Sequence, residues 1–158
     1  MNALRRNVLK GVAGVGSLSV ATAAGMLKPG QVLADWDQVA FDARKAADSL
    51  AAIGALHAPI GENIILNVPD IAENSASVPV EITVSMPDVD LLYILAEKNA
   101  YPLIANFALT DFGGYMSTRI KMGQTAAVRV VVKAGGKTWT VAKDVTITVR
   151  GCGGGDPA

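Results

Sequence analysis

Cysteine is almost missing from this chain: Cys152 is the one example among 158 residues. A single thiol excludes a structural disulfide within the chain and any metal cage built from several cysteines. Histidine is as scarce. His57 stands alone, so no Ser-His-Asp set exists except through it, and no Cys or carboxylate cluster beside it suggests a metal site. No G-x-G-x-x-G follows a strand-like run, which removes the dinucleotide fingerprint. Acids are missing from residues 1–34, which hold Arg5, Arg6, Lys10 and Lys28. The other 124 residues carry ten bases and fourteen acids, a net charge of −4. A body of that sign argues against nucleic-acid binding, which needs clustered positive charge. A hydrophobic content of 51% against 18% charged residues excludes general disorder.

The opening block has its own charge rule and reads as an address label. Leu4-Arg5-Arg6-Asn7-Val8-Leu9-Lys10 precedes seventeen uncharged residues, Gly11 to Leu27, and then Gln31-Val32-Leu33-Ala34. A basic start, an apolar middle and small residues before a polar start describe an export signal. The arginine pair, Arg5 and Arg6, points to the twin-arginine route, with a middle that is only mildly hydrophobic. Leu4 and Val8 depart from that pattern, where Ser or Thr and Phe are common. Val32 and Ala34 suit a cleavage site, which places the mature start at Asp35. The competing reading is an uncleaved anchor, but seventeen residues fall short of the ~20 that cross a bilayer. Export implies the periplasm, an oxidising compartment, with no membrane attachment after cleavage. The expected organisation is a signal over 1–34, one domain over 35–149 and a flexible arm over 150–158.

Asp35 to Ile53 has helical period, with Trp36, Val39, Ala40, Ala43, Ala47 and Leu50 recurring at three- and four-residue steps. Asp35 suits the N-cap and Gly54 the stop. Beyond Gly54 the period changes to two. Val78-Pro79-Val80-Glu81-Ile82-Thr83-Val84-Ser85-Met86 alternates without a break, and Pro79 marks an edge or a strand start. Similar runs fall at 63–68, 91–97, 103–109, 115–122, 126–133 and 137–149. Turn signals separate them, and Ala134-Gly135-Gly136-Lys137 forms a tight hairpin. About seven short strands at regular spacing predict a mainly β protein. The expected fold is an antiparallel, immunoglobulin-like β-sandwich with a short N-terminal helix and a flexible C-terminal arm. Two runs are apolar on both faces: Leu91, Tyr93 and Leu95 back onto Leu92, Ile94 and Ala96, and Val131 sits between Arg129 and Lys133. A second apolar face needs a cover. The N-terminal helix and a second protein chain are both open as that cover.

The end of the chain carries the most information. After Val145-Thr146-Ile147-Thr148-Val149 comes Arg150-Gly151-Cys152-Gly153-Gly154-Gly155-Asp156-Pro157-Ala158. Gly151, Gly153 and Gly154 give a backbone with little bulk and wide φ/ψ freedom. Such a segment buries no apolar area, so the one thiol of an exported chain is expected on a mobile thread outside the core. Cys152 would reach ~10 Å past Val149, enough to enter a narrow cleft on another protein. Arg150 favours the thiolate, with an effect reduced by water. The C-a-a-X lipidation box is missing.

The export signal, the helix, the sandwich and the terminal Gly151-Cys152-Gly153-Gly154 together resemble the SoxY family, the sulfur carriers of bacterial thiosulfate oxidation. The similarity extends to Ile94–Asn99, Pro102, Phe107 and Ser117-Thr118-Arg119-Ile120. The resemblance implies a heterodimer with a SoxZ-like, immunoglobulin-like subunit, and covalent carriage of the substrate on Cys152. It implies a haem-containing enzyme that joins thiosulfate to the thiol, a hydrolase that releases sulfate, and in some systems a sulfane dehydrogenase. The carrier is then a reactant and not an enzyme, with no cofactor and no metal of its own beyond the covalent adduct. The family's arm usually ends in G-G-C-G-G. Here Arg150 replaces the first glycine, and Gly155-Asp156-Pro157-Ala158 follow.

Other residues read as structural. His57 suits a surface or capping role. Met86, Met116 and Met122 suit core filling. Asp88 and Asp90 lie in a turn without the ligand count of a calcium site. Trp36 and Trp139 suit packing anchors. The alternative to a carrier is an exported β-sandwich binding module whose tail is incidental. A thiol-dependent enzyme would need a base positioned by Cys152, and the sequence offers none.

Overall fold

The computed structural model describes residues 37–148. The expected signal segment with Arg5 and Arg6, the expected mature start at Asp35, Trp36 and everything from Val149 onward lie outside the described residues.

The expected single helix is two short ones, α1 over Gln38–Asp42 and α2 over Ala46–Ala52. Asp37 caps α1, its carboxylate accepting the Ala40 N–H at 3.0 Å. Ala43 then turns extended, with ψ 139°, and ends the helix. The break has a physical anchor that spacing does not reveal. The Arg44 guanidinium lies over the Tyr101 ring, its Cζ 3.8 Å from the centroid, and also donates to the Tyr101 hydroxyl. That contact holds the α1–α2 link against the turn after residue 100. Gly54 stops α2 as expected, at φ +70°, while the Ala55 N–H bonds back to the Leu50 carbonyl at 2.7 Å.

Eight strands follow: β1 Ile64–Asn67, β2 Ile71–Ala72, β3 Val78–Val84, β4 Val89–Ala96, β5 Leu103–Ala108, β6 Tyr115–Ile120, β7 Ala126–Ala134 and β8 Lys137–Ile147. They form a three-stranded sheet in the order β1-β3-β6 and a five-stranded sheet in the order β2-β8-β7-β4-β5. The pairing is antiparallel except for β2, which runs parallel to β8 and was not expected. The last strand ends at Ile147, before the expected Val149. The β7–β8 hairpin turns through Gly135 and Gly136, at φ +53° and +73°, the left-handed values of a primed turn, which glycine adopts at no steric cost. Pro79 is at a strand start and not on an edge strand. It faces Arg119 on β6, and β1 pairs with β3 only over Glu81–Val84.

Alternation builds the main core. Val78, Val80, Ile82 and Val84 of β3 pack with Leu92 and Ile94 of β4 and with Val128, Val130 and Val132 of β7. Met122 is fully buried there, and Met86, Met116 and Trp139 pack against it, in line with their reading as core residues. Each fully buried aliphatic side chain contributes roughly 1.5–3 kcal/mol to this immunoglobulin-like sandwich.

The second apolar face has its own, smaller core. Tyr93, Leu95 and Val131 on the outer face of the five-stranded sheet join Leu103 and pack against Ala40, Leu50, Ile53 and Ala55. The helices and the loop after them therefore cover the patch. The two-faced strands of the sequence need no second chain to account for them.

Candidate functional site

Cys152, its neighbours Arg150, Gly151, Gly153 and Gly154, and the rest of the arm lie outside the described residues. The root from which the chain proceeds to the thiol is described, and its construction is informative. β8 lies between β7 and β2. On the β2 side, the Thr146 N–H bonds to the Asp70 carbonyl at 2.9 Å and the Thr148 N–H to the Ala72 carbonyl at 3.2 Å. On the other side, the Ile147 N–H donates to the Thr125 hydroxyl at 2.9 Å. Just upstream, Val145 is fully buried, and the Lys143 ammonium holds both the Val68 carbonyl at 2.8 Å and the Asp70 carboxylate at 3.0 Å. The chain is thus fastened from both sides up to Thr148. Cys152 is four residues further on, a reach of about 13 Å when extended.

Two loops border this root and are stapled together. The Asn99 amide donates to the Lys121 carbonyl at 2.8 Å and accepts the Gly123 N–H at 2.7 Å. The Gln124 amide donates to the Lys98 carbonyl at 2.8 Å. Lys98, Gln124, Thr125 and Ile147 line a cavity of about 290 Å³ at this end of the sheet. The exposed Lys98 ammonium gives it a positive rim. Behind it, Arg129 binds Glu97 at 2.7 Å and leans on Thr140.

The other residues singled out in the sequence do not converge on this root. His57 is exposed and borders an apolar groove with Leu56, Ala58, Pro59 and Thr138, formed by the loop after α2 and the start of β8. Asp88, at φ +52°, shapes the turn before β4, where its carbonyl accepts the Gly135 N–H. Among the described residues no three His, Cys, Asp or Glu side chains gather as a metal site. The Tyr93 phenol has its pKa raised above 10.0, first by burial and then by the Asp37 charge, which keeps it protonated. It belongs to the small core beneath the helices and faces no cleft.

The clamp on the root is the part that sequence reasoning missed. Ile71–Ala72 is too short a run to read as a strand, and Thr125 is a lone hydroxyl in a turn. The one available signal was Pro69, which breaks the chain after β1 and restarts it in an extended form.

A family model described as sulfur oxidation protein SoxY matches residues 50–152. The solved structure of the sulfur carrier protein SoxY from Chlorobium limicola f thiosulfatophilum is similar, at 32% identity and a TM-score of 0.55, covering 65% of this chain and 96% of that one. A superoxide reductase (neelaredoxin) from Ignicoccus hospitalis aligns at 11% identity and a TM-score of 0.46, covering 54% of this chain and 80% of that one. No match was found among curated proteins.

Proposed function

Because this chain belongs to the SoxY family of sulfur oxidation proteins, we propose that it carries the sulfur intermediates of thiosulfate oxidation covalently on Cys152. The observation that carries this reading is the extent of the family match, which ends on Cys152, the one thiol of the chain. The doubly fastened end of β8 supports it as well. A carrier needs a fixed point from which a short thread delivers its cargo, and hydrogen bonds on both sides of the last strand provide one.

The chemistry proceeds as follows. The Cys152 thiol loses its proton, and its Sγ forms a disulfide bond with the sulfane sulfur of thiosulfate. Two electrons leave in that step and pass to a haem-containing partner enzyme. Water then attacks the terminal sulfone, the bond between the two cargo sulfurs breaks, and sulfate departs. The pair of electrons stays with the sulfur on Cys152 as a persulfide. A partner hydrolase performs that step, and a sulfane dehydrogenase, where one exists, oxidises the remaining sulfur before a second hydrolysis. Gly151, Gly153 and Gly154 let the adduct turn inside each partner's cleft. A carrier of this kind needs no base, metal or cofactor of its own. It is a substrate carrier acting on the periplasmic side after export by its Arg5-Arg6 signal, in a heterodimer with a SoxZ-like subunit.

Deleting residues 150–158 tests this against the alternative, a β-sandwich binding module with an incidental tail. The truncated chain is expected to keep its melting temperature and its binding to the second subunit, and to support no thiosulfate oxidation in a system reconstituted with the partner enzymes. Full activity of the truncated chain would favour the binding module.

A further inference from the structure

The geometry points to the edge of β6, free among the described residues, as the place where a strand of the second subunit adds to the three-stranded sheet. This rests on the reading that such a subunit binds. The Val84 N–H bonds to the Gly114 carbonyl at 2.8 Å. In an antiparallel ladder bonded and non-bonded pairs alternate, so the pairs 82–116, 80–118 and 78–120 exchange hydrogen bonds. The pairs 83–115, 81–117 and 79–119 do not. The N–H and C=O groups of Tyr115, Ser117 and Arg119 therefore turn away from β3, toward the free edge. All three residues are exposed, and Tyr115 is 58% so.

The other edges among the described residues are blunted in ways that natural sheets use against unwanted pairing. β2 has two residues. β1 has four, and its Ile64 N–H is already taken by the Gly61 carbonyl at 3.2 Å. β5 carries a bulge: Ile94 faces Ala105 while Leu95 faces Leu103, which leaves Ile104 as an extra residue. β6 runs six residues in unbroken register, with no proline, no lysine and no bulge. Its outward groups come two residues apart, the spacing an added strand requires.

Side chains define the occupant. Tyr115 lies in one cross-strand row with Thr83 and Ile65, and Ile65 is 62% exposed, so that end of the face is apolar. At the other end the Arg119 guanidinium has a 3.4 Å contact to the Ser77 hydroxyl and no acidic partner among the described residues. The fitting strand alternates, with an apolar or aromatic residue beside Tyr115 and an acid beside Arg119. A second copy of this chain fits less well. Two β6 edges related by a two-fold axis at Ser117 would set Arg119 against Tyr115 and offer it no acid.

Ser117→Pro isolates this edge. The Ser117 N–H serves no bond to β3, so proline there spares the ladder and removes the donor from the centre of the free edge. Ala108→Pro does the same on β5, since Leu109 bonds to Asp90 and Ala108 therefore turns outward. The full chain is titrated with the purified second subunit, and amide exchange is followed with and without it. The expected result is a one-to-one complex for the wild type and for Ala108→Pro. Ser117→Pro should raise Kd at least tenfold with an unchanged melting temperature, and Tyr115, Ser117 and Arg119 should gain exchange protection on binding. Wild-type affinity in Ser117→Pro, or no protection at those three amides, overturns the assignment to β6. Should Ser117→Pro unfold, the wild-type exchange result decides alone. A wild type that binds no second subunit overturns the heterodimer reading itself, and self-association protected at β6 overturns the choice of occupant.

Discussion

Replacing Cys152 with serine is expected to stop thiosulfate oxidation outright in a reconstituted system, down to the rate seen with no carrier. The chain has no second thiol to take over, and a serine hydroxyl neither ionises near neutral pH nor forms a bond to sulfane sulfur that a thiol-type cycle can reverse. Serine differs from cysteine by one atom, and only glycines flank the position, Gly151 and Gly153, so the melting temperature and the complex with a second subunit should stay as in the wild type. That combination separates a carrier from a folding defect. Turnover by Cys152→Ser at the wild-type rate, measured as oxygen or electron-acceptor consumption with thiosulfate, would remove the thiol from the mechanism.

The second large effect is on the fold. Val131→Asp in the isolated chain should cost about 4 kcal/mol or more, a large part of the 5–15 kcal/mol that holds an ordinary domain together. Val131 is fully buried beneath Leu50, Ile53 and Ala55, beside Tyr93 and Leu95. A carboxylate placed there loses its water and gains no partner. The nearest cations on the same strand are already engaged, Arg129 with Glu97 and Lys133 over the Tyr93 ring. Lys133→Asp, two residues along on the same face but only half-buried, should change stability by no more than about 1 kcal/mol. Urea unfolding of the two variants makes the comparison. Equal midpoints would mean that α1 and α2 do not seal this face in solution, and that a second chain is needed as its cover.

The fold was legible wherever a single face repeats. β3 reads directly from Val78, Val80, Ile82 and Val84, because a strand with one wet face must alternate. The two-faced character of β4 and β7 was equally visible in Tyr93, Leu95 and Val131, yet the same pattern serves a helix of the same chain or a foreign subunit. Only the packing of Leu50 and Ile53 decides between them. The break between α1 and α2 was invisible, since Ala43 and Lys45 are good helix formers. α1 ends at an extended Ala43, next to a contact between Arg44 and Tyr101, 57 residues apart, and periodicity reports nothing at that range. β2 escaped notice for a different reason. Two residues show no alternation, and Ile71–Ala72 is a strand only because β8 lies beside it.

The functional reading depended on composition more than on pattern. One thiol set among Gly151, Gly153 and Gly154 is unusual, and it needs no periodicity to be seen. The clamp at the arm's root was beyond that kind of reading. The Thr125 hydroxyl, from the turn before β7, and the Asp70 and Ala72 carbonyls, beside and within β2, meet β8 from places far apart in sequence. Their worth lies in geometry, a fixed point four residues before Cys152. The same holds for the β6 edge, which looks ordinary as sequence and becomes distinct only when every other edge is found shortened or bulged.

The central claim is that Cys152 carries the cargo, and intact-mass analysis of the mature protein tests it most directly. The protein is exposed to thiosulfate together with a haem-containing thiosulfate-conjugating enzyme, then measured before and after reduction and mapped by peptide. The account predicts a mass gain that disappears with a thiol reductant and maps to the peptide holding Cys152. An unmodified mass, with Cys152 still open to alkylation under the same conditions, would contradict it.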